Sequence, residues 1–104
     1  SKKKIAIILN IDKKMALEDI ARSQGVSYQE LMEELEQMVT MGTSLDLHYC
    51  IDEIIEEEYQ EEIFEYFKNQ EEDDLNQAVI DFDNDFTYEE LQLMRLQFIS
   101  NMAN

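Results

Sequence analysis

Between Met15 and Gly25 the apolar residues Leu17, Ile20 and Ala21 stand three and four positions apart, the spacing of one helical face, and Gly25 supplies the left-handed stop that ends a helix. A short helix is expected there. Ser27 then caps a second helix, because Glu30 lies three residues on and can bond back, while Val26 can staple onto Leu31. Leu31, Leu35, Met38 and Val39 form its stripe as far as Thr40, and Met41-Gly42-Thr43-Ser44 ends it with turn chemistry.

The flanking segments read differently. Lys4 to Asp12 is rich in isoleucine, has no turn residue before Asn10, and is expected as a short buried strand or extended arm, with a helix as the alternative that periodicity leaves open. Leu45, Leu47, Tyr49 and Ile51 alternate with Asp46, His48 and Cys50, the pattern of a half-buried strand. From Asp52 to about Lys68 the four-residue repeat Ile55, Tyr59, Ile63, Phe67 predicts a helix with glutamates on its outer side. After a polar break at Asn69 to Asp73, Asp73 or Asp74 caps a helix bearing Leu75, Ala78, Val79 and Phe82. Thr87 and Glu90 make a second capping box, Phe86 can staple onto Leu91, and Leu91, Met94, Phe98, Ile99 and Met102 carry the apolar face of the last helix, which ends just before Asn104.

The expected fold is therefore mainly α: a winged-helix-like helix-turn-helix with a short β element over 1–51, followed by three packed acidic helices over 52–104. The chain has no proline, no internal repeat and no low-complexity linker, so the two parts are expected to pack as one unit. Its length suits one domain with a modest core. The longest apolar run, Ile5 to Leu9, is far below the roughly 20 residues that cross a bilayer, and no signal-peptide pattern opens the chain, so a cytoplasmic protein is expected, without membrane contact. Ser1 in place of methionine, followed by Lys2, Lys3 and Lys4, reads as the start of a fragment whose true N-terminus lies elsewhere.

Charge sharpens this picture. Residues 1–50 hold 6 Lys/Arg against 8 Asp/Glu, and residues 51–104 hold 2 against 17, so the halves carry −2 and −15. No cation occurs between Arg22 and Lys68. Phosphate neutralisation by Lys and Arg dominates non-specific nucleic-acid affinity, so direct DNA binding by most of the chain is disfavoured. The acidic run reads first as a solvated helix face, with a docking surface for a basic partner as the alternative.

Ala21, Gly25, Val26, Ser27 and Leu31 have the layout of a helix-turn-helix, although Gln24 and Glu34 stand where apolar residues are more usual. A DNA-reading helix presents arginine, lysine, asparagine or glutamine to the groove; this one offers Tyr28, Gln29, Glu30, Glu33, Glu34, Glu36 and Gln37. Carboxylates repel phosphates, so a structural or protein-docking motif is the preferred reading. Asp81, Asp83 and Asp85 resemble the start of an EF-hand loop, but Phe86 replaces the turn glycine and Gln92 the closing glutamate, so these acids are read as structural, flanking a helix N-terminus. His48 has no second ligand at zinc spacing and reads as an exposed side chain; Cys50, the one cysteine, reads as a small buried hydrophobe. Runs such as Glu56-Glu57-Glu58 read as a solvated face rather than an acid–base pair. Gly25 and Gly42 are the only glycines, so no phosphate-cradling loop and no ATP chemistry is expected.

Two stretches resemble the C-terminal segment of a group of bacterial RecQ-family ATP-dependent DNA helicases. One runs from Ala16-Leu17-Glu18-Asp19-Ile20-Ala21 through Gly25 to Tyr49-Cys50-Ile51-Asp52-Glu53; the other comprises Asp73-Asp74-Leu75, Asp85-Phe86-Thr87-Tyr88-Glu89-Glu90 and Arg95 to Asn104. The resemblance implies a parent that unwinds DNA 3′ to 5′ with ATP and magnesium in repair and recombination. Its motor motifs are absent from these residues, so no catalytic, cofactor or metal residue is carried over.

The resulting expectation is a non-catalytic accessory domain that contacts other domains of the parent helicase or a basic protein, with DNA reached through the parent. Tyr28, Gln29, Glu33, Glu57, Glu61 and Glu65 are the candidate interaction surface. The rival readings are a free-standing acidic adaptor or DNA mimic, and weak DNA binding through the basic N-terminal end, with Lys13, Lys14 and Arg22 as contacts beside Lys2, Lys3 and Lys4.

Overall fold

The computed structural model describes residues 1–103; Asn104, which closes the second resembling stretch, lies outside them. Among the described residues the chain forms seven helices and no strand: α1 Lys2–Asp12, α2 Leu17–Ser23, α3 Tyr28–Thr40, α4 His48–Ile54, α5 Glu57–Asn69, α6 Leu75–Asp81 and α7 Tyr88–Met102. Mainly α holds; the short β element and wing do not.

The helix-turn-helix forms as its residues require. α2 ends at Ser23, and the chain turns at Gly25, whose φ of +68° suits a residue without a Cβ, with the Val26 N–H reaching back 3.0 Å to the Ala21 carbonyl. Ser27 and Glu30 make the reciprocal capping box at 3.0 Å in both directions. Leu31, Leu35, Met38 and Val39 are all buried, joined by Met32.

The opening segment is a helix rather than a strand or arm. Ser1 caps it by accepting from the Lys4 amide, and Ile7 and Ile11, four residues apart, are both buried. Burial against α2 overrides the β preference of isoleucine. Lys14, at φ +60°, turns the chain toward α2.

The expected strand over 45–51 also gives way. Leu45 and Leu47 are buried in an irregular loop, and from His48 the chain is helical, with Ile51 one turn beyond Leu47 in the core. Strand pairing is replaced by side chains of α7. Gln97 accepts from the Leu47 amide at 2.7 Å and donates to the Leu45 carbonyl at 3.1 Å. The Ser100 hydroxyl accepts from the Leu45 amide at 2.9 Å and donates to the same carbonyl at 3.1 Å. The loop's buried backbone groups are thereby satisfied without a ladder.

The single helix expected over 52–68 is two. Ile55 is extended and buried, and Gln60 fixes the break by donating to the Ile55 carbonyl at 2.8 Å and to Asp52 at 2.9 Å. Gln60 therefore takes the inward position expected for Tyr59, which is 43% exposed.

α7 is the axis of the molecule, packed by α3, α4, α5 and α6. Its burial is not confined to the one face expected: Gln92, Leu93, Leu96, Gln97 and Ser100 are buried with Leu91 and Met94, while Met102 is 71% exposed. A helix surrounded on most sides loses its amphipathic stripe. One cluster of buried residues runs from Ile7 to Leu96 and draws on both halves of the chain.

Candidate interaction surface

The helix that would read DNA in a helix-turn-helix is α3. Its inner side is in the core, leaving Gln29, Glu30, Glu33, Gln37 and Thr40 as the exposed strip. Gln29 is held by buried Gln92 of α7 at 3.3 Å. Glu36 forms an ion pair with Arg95 of α7, whose guanidinium also meets Asp73 at 2.7 Å. The Glu30 carboxyl lies below its ordinary range, chiefly because it accepts from the Ser27 backbone amide, which favours its charged form. Lys3 lines a shallow hollow with Glu30, Glu33 and Glu34, so a lysine of the basic N-terminal end stands beside carboxylates.

The other residues singled out from sequence are dispersed. Glu57 and Glu61 line a groove of about 540 Å³ between α4 and α5, with Asp52, Glu56 and His48 on its rim and Phe64 on its apolar side. Glu65 lies one turn on, accepting from the Asn69 side chain at 3.2 Å. Tyr28 is half-buried in a separate cleft, its phenol pushed up to about 12, first by burial and then by the neighbouring Glu18. The six residues thus fall on at least three surfaces.

Lys13 and Lys14 sit together, exposed, in the turn after α1; Arg22, at the end of α2, faces Asp19 of its own helix at 2.5 Å. Asp81 accepts from the Tyr66 hydroxyl at 2.6 Å and from Gln77 at 2.8 Å, and these bonds hold its carboxyl below the usual range. Asp83 and Asp85 are exposed, and among the described residues no three His, Cys, Asp or Glu side chains converge as metal ligands. His48 is exposed, with Nδ1 2.8 Å from Asp46. Cys50 is half-buried, and burial pushes its thiol up. No helix among the described residues is long and apolar enough to cross a membrane.

Sequence reasoning missed Gln60, Gln92, Arg95 and Gln97, the polar residues that tie α7 and the α4–α5 break in place. The available signal was Gln92 and Gln97 lying inside a run of leucines, where a solvated residue would be out of register. Tyr49, Ile54 and Leu93 line the Tyr28 cleft, which sequence reasoning missed because the strand reading put Tyr49 in the wrong geometry and Ile54 and Leu93 stand off the expected apolar stripes.

A helix-turn-helix buttressed by further helices, with no strand among the described residues, is the class these features define. Residues 1–51 match the family described as RecQ-1-like, helix-turn-helix domain. Over residues 1–51 the resemblance to a RecQ-family helix-turn-helix segment therefore holds. No curated protein matches the chain.

Proposed function

We propose that this chain is a non-catalytic C-terminal accessory region of a RecQ-like 3′–5′ DNA helicase acting in repair and recombination in the cytoplasm, and that it works by contact with other domains of the parent or with a basic protein. In this reading 1–51 and 52–104 act as one unit, and ATP and magnesium belong to the motor. The observation that carries it is the state of α3: its inner face is sealed by the core and α7, and its outer strip offers Glu30 and Glu33 and no cation. A groove-reading helix needs the reverse. The net charge of −17 adds long-range repulsion from phosphates and attraction to a basic surface.

Calorimetric titration of the chain against the motor portion of its parent helicase, at rising salt, tests this. Binding that weakens with salt, alongside no affinity for a labelled duplex, is expected. Duplex binding with a steep salt slope and no binding to the motor would refute it.

A further inference from the structure

Where α2, α3, α4 and α7 meet, Leu17, Tyr28, Tyr49, Ile54 and Leu93 line a cleft of about 170 Å³. This is room for one large side chain rather than a small-molecule site. Tyr49 is held by the bond from its hydroxyl to the Met15 carbonyl, and Leu93 is buried, so floor and wall are fixed; Ile54, 50% exposed, stands at the mouth. Rigid aromatic walls around an apolar slot are the composition of an interface anchor point. Glu18 and Glu53 stand on the rim against one cation, Lys14, and Glu89 lies close enough to raise the Tyr28 phenol.

We propose that this cleft receives a large apolar side chain of a partner protein, on a segment whose flanking residues are arginine or lysine. The slot supplies the anchor and the rim carboxylates choose the flanks. A second copy of this chain is a poor occupant because each copy carries −17, and DNA is a poor one because the rim is acidic. This deepens the protein-docking reading and rests on it.

The probe is a short fluorescein-labelled peptide with one phenylalanine between pairs of arginines, followed by anisotropy. A second readout is the labelling rate of Cys50, the chain's one cysteine, which lines the cleft and should be shielded when it is filled. Replacing the peptide's phenylalanine by alanine, or Ile54→Ala or Glu53→Lys in the protein, should each weaken binding about fivefold or more. Glu62→Lys on α5 changes the net charge equally, lies outside the cleft, and should leave binding within about twofold. Equal losses from Glu62→Lys and Glu53→Lys, unshielded Cys50 at saturation, or no peptide binding would overturn the cleft while leaving docking elsewhere intact. Preference for a labelled duplex over the peptide would overturn the docking reading itself, and chain-on-chain association that displaces the peptide would overturn the choice of occupant.

Discussion

Replacing Gln97 by methionine keeps the side chain's length and volume and removes both its polar atoms. Gln97 is 2% exposed, and its amide serves the Leu47 N–H at 2.7 Å and the Leu45 carbonyl at 3.1 Å in a loop without strand partners. After the change the Leu45 carbonyl keeps Ser100, whereas the Leu47 N–H is left buried without its acceptor. An orphaned buried donor costs about 1–3 kcal/mol, and losing the bond to the Leu45 carbonyl adds about 0.5–1.5 kcal/mol. Exposed Asn101, which also accepts from Gln97, can turn to water, so Gln97→Met should destabilise by about 1.5–4.5 kcal/mol. That is a large share of the roughly 5–15 kcal/mol typical of a domain. Urea unfolding followed by helical circular dichroism, with the slope unchanged, measures it directly. Ser100→Ala combined with it should be non-additive, since both residues serve Leu45. A loss under about 0.5 kcal/mol would refute the claim that α7 replaces a strand ladder.

Ser27→Ala and Thr87→Ala each remove the accepting half of a capping box and should cost about 1 kcal/mol in the same assay. In Ser27→Ala the Glu30 carboxyl should rise toward its ordinary 4.5 when titrated by NMR, because the side-chain part of its cap is gone. The native carboxyls of Glu30, Asp46 and Asp81 lie below their ordinary values, so their contribution to stability is present above about pH 4 and is lost as pH falls through the lowered values. Tyr28 and Tyr66 are raised to about 12, so their contribution is present below pH 10 and is lost as pH rises toward 12; ultraviolet titration should show tyrosines ionising late. Arg95→Met removes a pair to Glu36 and a pair to exposed Asp73, and should cost about 1–2 kcal/mol, less at high salt.

What the sequence made legible was set by local chemistry. Ser27 with Glu30, Asp74, and Thr87 with Glu90 each announced a helix start that the fold uses, since a cap acts within one turn and needs no distant partner. What failed depended on tertiary neighbours. Ile5 to Leu9 has the composition of a strand, yet it is helical where Ile7 and Ile11 are buried and the helix packs on α2. Leu45 and Leu47 alternate as a strand would, yet their backbone partners come from Gln97 and Ser100, about fifty residues away. The break at Ile55 depends on Gln60, a polar residue that reads as solvated until it is seen bonded to a carbonyl. The acidic, cation-poor character of α3 could be read at once, whereas the scatter of Tyr28, Glu33 and Glu57 over separate surfaces could not.

The central claim is that α3 faces proteins rather than the DNA groove. Titrating the isotopically labelled chain with a short duplex at low salt, while following the amide resonances of Gln29, Glu33 and Gln37, tests it most directly. Those resonances should stay in place throughout; movement that saturates with duplex and disappears as salt is raised would contradict the account.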